Sequence, residues 1–174
     1  MLLGNEYIKL RKLEPSDVIT LYYIENDTKA WASGDLHNPV SQKDLQDYVD
    51  SSTGDIYVDK QLRLMIETSE NKSQVVGCID LYNFNPFDGK AGVGIYILEE
   101  YRRTGLATKA IRLIEEYAFN YLHLRMLYAL VPSFNKASAH LFASANWQMV
   151  SILPQWLQSG DVYVYQQITP LSLQ

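Results

Sequence analysis

A long amphipathic segment entered through a glycine constrains the fold more than any other feature of the sequence. Between residues 106 and 121, apolar side chains recur at spacings of three and four: Leu106, Ala110, Leu113, Ile114, Tyr117, Ala118 and Tyr121. The other face carries polar residues, which are Lys109, Arg112, Glu115, Glu116 and Asn120. This periodicity predicts a helix of about four or five turns with one apolar face. Such a helix must pack that face against another layer of the domain.

Strand patterns on both sides of this helix predict the layer that it covers. Short apolar or alternating runs predict strands at residues 7–13, 63–67, 74–82, 91–98, 126–131, 149–153 and 162–168. Further helices are predicted from residue 16, from residue 41 and over 135–145, with loops at 27–40, 51–55 and 68–73. The order of elements indicates a mixed α/β or α+β domain built on one sheet. Residues 1–174 are expected to form a single domain.

Composition excludes several classes of protein. The 174 residues are 47% hydrophobic and 12% aromatic, which is too much apolar surface for a disordered chain. A net charge of −5 argues against a general nucleic-acid binder. One cysteine permits no intrachain disulfide and favours a reducing compartment. Because no apolar run reaches the roughly 18 residues of a membrane span and no signal peptide is evident, we expect a cytoplasmic protein without membrane attachment.

The turn before the long helix carries the strongest chemical signal. The helix follows a strand and the residues Arg102, Arg103, Thr104 and Gly105. Unpaired N–H groups and the helix dipole suit a phosphate at such a start, and glycine permits close approach. A solvated turn with Thr104 as a helix cap explains the same four residues. There is no Gly-Lys-Ser/Thr ending, so the phosphate-binding loop of nucleoside-triphosphate binders is excluded. Gly92-Val-Gly94 lacks a third glycine at the required spacing, so the dinucleotide-binding motif is excluded as well.

The full turn resembles the acetyl-coenzyme A signature of the GNAT family of N-acetyltransferases, Arg/Gln-x-x-Gly-x-Gly/Ala, here Arg102-Arg-Thr-Gly105-Leu-Ala107. A second motif, Asn135 to Trp147, resembles the family's Asn-x-x-Ala/Ser-x-x-Leu-Tyr/Phe-x-x-x-Gly-Phe. The resemblance covers roughly residues 60–168. The sequences of the strands that resemble the family's third and fourth strands are most similar to those of polyamine acetyltransferases and of enzymes that act on ribosomal-protein N-termini.

The resemblance implies a fold and an activity. The fold would be a mostly antiparallel sheet of about six or seven strands with about four flanking helices, in which strands 4 and 5 splay apart. The activity would be transfer of an acetyl group from acetyl-CoA to an amine that attacks the thioester directly. The acceptor would be a small polyamine-like amine or a protein N-terminal amine, and the protein could be a homodimer. A non-catalytic acyl-CoA-binding sensor or interaction module is the alternative.

The resemblance also implies the residues that bind the coenzyme. The backbone of strand 4 would pair with the pantetheine arm, the turn would hold the diphosphate, and two residues of the last helix would contact the coenzyme. These residues are Ile95, Tyr96, Ile97, Arg102, Arg103, Thr104, Gly105, Leu106, Ala107, Thr108, Asn135 and Phe142. Asn135 is equally well explained as a helix N-cap.

Two departures from the family pattern leave the catalytic residues unassigned. Phe142 stands where many members carry a tyrosine that protonates the leaving thiolate, and Gly92 stands where relatives often carry a glutamate. Asp80 and Tyr96 are the candidates that remain for proton transfer, with Tyr128 or water as substitutes for the acid. For Asp80, a structural or substrate-contact role is favoured over that of a base.

Other residue types point to simpler roles. Cys78 lies in an apolar strand and is expected to be an inert core thiol. The three histidines, His37, His123 and His140, lack metal-ligand spacing, so no metal is expected. Carboxylates between residues 16 and 49 favour a cationic acceptor or simply form a solvated surface, and they are Asp17, Glu25, Asp27, Asp35, Asp44 and Asp47. Tyr57 and Tyr82 could line an acceptor cleft.

Overall fold

Seven strands form one sheet in the order β1-β2-β3-β4-β5-β7-β6. The computed structural model describes residues 3–32, 38–69 and 72–169. The strands are β1 Ile8–Lys12, β2 Leu62–Thr68, β3 Val75–Asn85, β4 Lys90–Ile97, β5 Met126–Pro132, β6 Gln148–Leu157 and β7 Gly160–Ile168. All neighbours pair antiparallel except β4 and β5, which are parallel. The predicted mixed, mostly antiparallel sheet is confirmed.

Six α-helices flank the sheet in the described residues. They are α1 Val18–Glu25, α2 Thr28–Trp31, α3 Gln42–Ser51, α4 Ile56–Asp59, α5 Leu106–Asn120 and α6 Lys136–Ser144. Single 3-10 turns precede α1 at Pro15–Asp17 and α5 at Glu99–Tyr101. None of the helices in the described ranges is long and apolar enough to cross a membrane.

Two single-turn helices were not predicted. The prediction of a loop over residues 27–40 is wrong at α2, and residues 33–37 of that segment lie outside the described residues. The carboxylates of Asp27 and Asp55 begin α2 and α4 by accepting hydrogen bonds from the N–H groups of Lys29 and Tyr57, at 3.0 and 2.9 Å. Four residues are too few to show a helical period, so capping rather than periodicity is the signal for such turns.

The sheet separates two apolar clusters because successive strand residues point to opposite faces. Ile79 of β3 lies in the larger cluster together with Ile111 and Ile114 of α5. Its neighbour Cys78 lies in the smaller cluster, which α1 and α3 cover, with Leu21 among the fully buried side chains. The buried face of α5 confirms the amphipathic pattern read from the sequence.

The parallel pairing of β4 and β5 ends after three residues. Lys90, Ala91 and Gly92 pair with Met126, Leu127 and Tyr128, and no β5 partner follows along β4. Beyond this point β4 continues beside β3, whereas β5 continues beside β7. The predicted splaying of these strands is therefore confirmed, and the edge of β4 from residue 93 to 97 faces an open gap.

A buried polar cluster fixes the edge strand β1 to β2 and to the turn before α1. Arg11 donates to both carboxylate oxygens of Asp17, at 2.7 and 2.8 Å, and also to Glu67. Lys9 pairs with Glu67 at 3.0 Å. Burial disfavours the charged form of Glu67, but hydrogen bonds from Ser73, Arg11 and Lys9 outweigh it and lower its pKa to about 2. Asp17 is thus structural rather than part of an acceptor site.

Candidate functional site

A cleft of about 1510 Å³ opens beside the gap between β4 and β5. One half is bounded by the turn before α5 and the first turns of α6, and the other half by the ends of α1 and α2. The floor between them is the face of β2, β3 and β4 on the side of α1 and α3. We call the first the coenzyme half and the second the acceptor half.

The start of α5 presents free backbone donors to the coenzyme half. Gly105 is the N-cap residue, with a φ of 81°, and no side chain caps the helix. Arg103 also has a positive φ, of 64°. The N–H groups of residues 103–108 donate no hydrogen bond to any acceptor within the described ranges. A Cβ on Gly105 would meet no atom within 4 Å, so the space before these amides is open. This is the geometry of an anion cradle.

Two side chains hold the turn in shape. The Thr104 hydroxyl donates to the carbonyl oxygen of Tyr101 at 2.6 Å, so the interpretation of Thr104 as the cap of α5 is wrong. The Nε of Arg102 donates to the carbonyl oxygen of Ile97 at 2.9 Å. The Arg102 guanidinium lies over the ring of Tyr96, 5.3 Å from its centroid. The turn therefore combines six unpaired amides with fixed positive charge, which fits a diphosphate.

The structure brings most of the predicted coenzyme residues together. Ile95, Tyr96 and Ile97 pair with β3 on one side only and line the cleft with residues 102–108. Asn135 lines the cleft as well, and its side-chain oxygen accepts a hydrogen bond from the N–H of Ser138 at 3.1 Å. The N-cap interpretation of Asn135 is therefore confirmed, whereas its contact with a coenzyme stays a prediction.

Phe142 is the exception among the predicted coenzyme residues. Its side chain is only 3% exposed and packs against Trp147 and Tyr165, with ring centroids 4.8 and 6.0 Å away. This placement corrects the expectation that Phe142 lies at the coenzyme. Leu141, the preceding residue on α6, lines the cleft in its place.

The acceptor half is organised around Arg63. Its Nε and Nη2 donate to the two carboxylate oxygens of Asp80 at 2.7 and 2.9 Å, and its Nη1 pairs with Glu25. Burial opposes the charge of Arg63, but the two carboxylates hold its pKa above the ordinary value. No sequence pattern indicates this cluster, because Asp80 and Glu25 are 17 and 38 residues from Arg63 and meet it only through sheet register and helix packing.

Tyr96 contributes its side chain as well as its backbone to the cleft. Its hydroxyl donates to Asp27 at 2.6 Å. Burial and this hydrogen bond raise the pKa of Tyr96 to about 12, and the same bond lowers the pKa of Asp27. The phenol therefore keeps its proton throughout the physiological range, with Asp27 as its acceptor.

Two glycines of β4 lie at the floor of the cleft and differ in their surroundings. A Cβ on Gly92 would overlap the ring of Tyr82, whereas a Cβ on Gly94 would lie 3.8 Å from Asp80. Tyr82 thus occupies the space that a side chain at position 92 would need, and it packs edge-on against Tyr128 at 5.9 Å. Tyr82 lines the cleft as predicted. Tyr57 instead packs against Phe84, with ring centroids 4.9 Å apart, outside the cleft.

The remaining predicted residues divide between core, surface and cleft. Cys78 is buried in the smaller cluster, which confirms a core thiol; it also borders the floor of the cleft, and burial raises the pKa of its thiol to about 12. Glu25 and Asp27 line the cleft, whereas Asp44 and Asp47 are exposed on α3. Asp35 and His37 lie outside the described residues. In the part of the chain that the structure describes, no three His, Cys, Asp or Glu side chains are grouped to hold a metal.

Known proteins share both the fold and the sequence pattern. The Acetyltransferase (GNAT) domain model matches residues 8–147. Spermidine N(1)-acetyltransferase of Escherichia coli K12 is 28% identical over 138 residues, which are 78% of this chain and 69% of the relative.

Two solved structures extend the similarity to almost the whole fold. Spermidine N-acetyltransferase of Vibrio cholerae, in complex with CoA and spermine, superposes with a TM-score of 0.83 at 20% identity, over 94% of this chain and 96% of that one. Ribosomal L7/L12 alpha-N-protein acetyltransferase in complex with CoA has a TM-score of 0.79 at 19% identity, over 97% and 98%. With four-fifths of its length matched by the family model, the chain belongs to the GNAT family of acetyltransferases, whose acyl donor is acetyl-CoA.

Proposed function

We propose that the protein transfers the acetyl group of acetyl-CoA to an amine acceptor. The observation that carries this proposal is the row of unpaired amides at residues 103–108 beside the open edge of β4. A diphosphate would satisfy these donors, and an extended amide-containing arm would pair with the strand edge. Arg102, Arg103 and Lys136 line this half of the cleft and supply positive charge for phosphate groups.

Acetyl-CoA supplies an acetyl group that is already activated as a thioester. The chain's task is to hold it, to polarise its carbonyl and to align a neutral amine. Backbone N–H groups of β4 near the splay point suit the polarising role, because fixed dipoles in a cleft stabilise developing negative charge. Gly94 leaves room there for an acceptor, with Tyr82 as part of the floor.

The charges of the acceptor half favour a cationic amine. Three carboxylates, of Glu25, Asp27 and Asp80, line it together with the single guanidinium of Arg63. Lys29 also lines the cleft, so the three carboxylates exceed the two cationic side chains by one. Aromatic rings that suit the methylene chain or the charge of an amine come from Trp31, Tyr48 and Tyr82. We therefore propose a small polyamine-like amine or a protein N-terminal amine, the acceptor types named for the relatives.

Proton transfer is proposed to use solvent rather than a dedicated side chain. Both oxygens of Asp80 accept hydrogen bonds from Arg63, and the hydroxyl of Tyr96 donates a hydrogen bond to Asp27. Neither candidate group is therefore placed to exchange protons freely with a substrate. Phe142 has no proton to give. A thiol has a pKa of roughly 8.5, so a thiolate leaves without strong acid assistance. Water in the open cleft is sufficient to carry the protons.

Thiol release tests the proposed activity. Purified protein would be incubated with acetyl-CoA and a panel of amines, namely spermidine, spermine, short peptides with free N-termini and a peptide whose N-terminus is blocked. Free thiol would be followed over time, with acceptor-free reactions as the control. Release that depends on an unblocked amine supports the proposal, and acetylated product identified by mass spectrometry fixes the acceptor.

A non-catalytic acyl-CoA sensor is the second candidate, because Phe142 and Gly92 replace two residues that many family members use. It requires the same coenzyme cradle without transfer. Tight binding of acetyl-CoA by calorimetry, with no amine-dependent thiol release across the panel, would favour the sensor and reject the enzyme.

We further propose a homodimer in the cytoplasm, with residues 1–174 acting as one domain. A relative from Vibrio cholerae, a spermidine N-acetyltransferase, is dodecameric. In this chain the edge strand β6 exposes the apolar side chains of Met149, Val150, Ile152 and Trp156. Edge strands of this kind pair readily with another chain. Sedimentation velocity on the purified protein distinguishes a dimer from a monomer.

A further inference from the structure

Tyr96 touches both halves of the cleft at once. Its ring lies beneath the guanidinium of Arg102, 5.3 Å from the ring centroid, and Arg102 is the first residue of the coenzyme turn. Its hydroxyl donates to Asp27 at 2.6 Å, on the acceptor side. Since Tyr96 is part of β4, its backbone is fixed by pairing with Cys78 of β3. One rigidly mounted side chain therefore joins the two binding regions.

Asp27 in turn positions the wall of the acceptor half. Its second carboxylate oxygen accepts the N–H of Lys29 at 3.0 Å and so begins α2. The last residue of α2, Trp31, lines the cleft, and its indole N–H donates to the carbonyl oxygen of Glu25 at 2.7 Å. A single-turn helix has little stability of its own, so its position depends on such contacts. A second link from α2 to the coenzyme side, Lys29 with Glu99 at 3.8 Å, joins two exposed side chains and contributes little.

We propose that Tyr96 is a positioning residue that couples coenzyme binding at Arg102 to the placement of α2 on the acceptor side. This inference rests on the proposed function, because it requires a coenzyme diphosphate at the turn. The bond from Arg102 Nε to Ile97 already restrains this side chain, and a bound diphosphate would attract its guanidinium and restrain it further. The guanidinium packs on the Tyr96 ring, so the ring is fixed too, and the hydroxyl then holds Asp27 and α2 in one position.

The sign of the coupling can be stated thermodynamically. If the coenzyme stabilises one placement of α2, an acceptor that needs that placement binds more tightly to the coenzyme complex, and the coenzyme gains affinity by the same factor. The coenzyme and the acceptor would therefore bind with positive cooperativity, whichever of them binds first. This role differs from acid catalysis, because the phenol proton stays between Tyr96 and Asp27 throughout.

Hydrogen exchange of the full chain, with and without coenzyme A, tests the coupling without knowledge of the acceptor. In the wild type, coenzyme A is expected to slow exchange in residues 103–109 and also in residues 24–32. In Tyr96→Phe, which keeps the ring under Arg102 but loses the hydroxyl, the slowing at 103–109 should persist. The slowing at 24–32 should fall by roughly fivefold or more, which is the lower range of typical coupling factors.

Two further variants make the result specific. Asp27→Ser keeps a side chain that caps α2 but cannot reach Tyr96, so it should reproduce the Tyr96→Phe result. Tyr23→Phe removes the phenol of an exposed residue on α1 and should behave as the wild type. If coenzyme A slowed hydrogen exchange at residues 24–32 equally in the wild type, Tyr96→Phe and Asp27→Ser, the coupling would be overturned while the proposed function stayed intact. No slowing at 103–109 in the wild type would overturn both.

Discussion

At Gly105 the backbone φ is 81°, and a side chain would enter space that no other atom of the chain occupies. The residue is therefore not required by packing in this fold. It is required by whatever approaches the amides of the turn. Glycine at this position has a conformational role, since other residues lose roughly 1–2 kcal/mol in the left-handed region, and a steric role toward the ligand.

Replacing Gly105 with valine is expected to lower coenzyme A affinity by at least about tenfold while the fold persists. The valine methyl groups would occupy the open space before the N–H groups of residues 103–108. Isothermal titration calorimetry gives the affinity and thermal unfolding gives the stability.

Gly89→Val is the matched control for Gly105→Val. Gly89 has a φ of 63° and lies in the turn between β3 and β4, away from the cleft. A valine there carries a similar backbone penalty, and its Cβ would also lie 3.3 Å from Arg125, but it does not touch the coenzyme turn. Equal affinity losses in the two variants would mean that strain, rather than blocked access, explains the effect at Gly105.

Single residues also show where sequence reasoning reached its limit. The motif Arg102 to Ala107 could be read from the sequence because all its parts are local. Arg63 could not be identified as the centre of the acceptor half, because its partners Glu25 and Asp80 come from other elements. Phe142 could be identified as a departure from the family, but its burial against Trp147 depends on how α6 packs.

At the scale of elements, β4 is shaped on one face by Gly92 and Gly94. The two glycines look alike in sequence but differ in surroundings, because Tyr82 covers the first and leaves the second more open. Strand glycine normally weakens a sheet, so its presence twice in β4 needs a packing or access reason. At Gly92 the reason is the Tyr82 ring, and at Gly94 it is the width of the cleft floor.

Gly92→Ala is expected to destabilise the protein by about 1–3 kcal/mol, the usual cost of overpacking, because its methyl group would displace the ring of Tyr82. Gly94→Ala is the control, with a methyl group 3.8 Å from Asp80, and should change the free energy of unfolding by less than about 1 kcal/mol. Urea unfolding measures both. In a Tyr82→Ala background the Gly92→Ala cost should largely disappear, and its persistence there would reject the clash with Tyr82.

The polar cluster that fixes β1 predicts a second element-scale effect, on stability in acid. Glu67 has its pKa lowered to about 2 from an ordinary value of 4.5. A lowered folded pKa stabilises the native state above the unfolded pKa, and this stability is lost as pH falls from about 4.5 toward 2. Thermal unfolding between pH 6 and pH 2 should therefore show a steeper fall for the wild type than for Glu67→Gln.

The exposed Glu116 of α5 provides the control for this pH dependence. Glu116→Gln removes the same charge without touching the cluster and should leave the acid dependence of the wild type unchanged. If Glu67→Gln lost thermal stability with falling pH as steeply as the wild type, other carboxylates would account for the acid sensitivity.

The elements themselves were largely predictable, and the reasons are physical. Helix α5 and the strands have periods that burial imposes on the sequence, so they appear in the pattern. The single turns α2 and α4 have no period and depend on the caps Asp27 and Asp55. The splaying of β4 from β5 was expected only from the family resemblance, because strand pairing between distant segments leaves no local trace.

At the scale of the whole molecule, charge is unevenly distributed. The chain carries a net charge of −5, yet Arg102, Arg103 and Lys136 line the coenzyme half of the cleft. An acidic protein with a basic pocket repels phosphates at long range and attracts them at short range. The local charges must therefore supply part of the coenzyme affinity, and dissolved salt should screen that part.

We expect the affinity for coenzyme A to fall between about 0.05 and 0.5 M salt, as the Debye length shortens from above 10 Å to below 8 Å. Arg103→Gln should weaken binding at low salt and make the remaining dependence on salt shallower. Arg112→Gln changes the net charge of the molecule equally, but Arg112 is an exposed residue of α5 outside the cleft. If calorimetry gave both variants the same affinity and salt slope, net charge alone would explain the effect. A loss of affinity confined to Arg103→Gln places the anion at the start of α5. Both variants change the net charge equally, so their affinities can differ only if one of the two side chains lies within a Debye length of the bound anion.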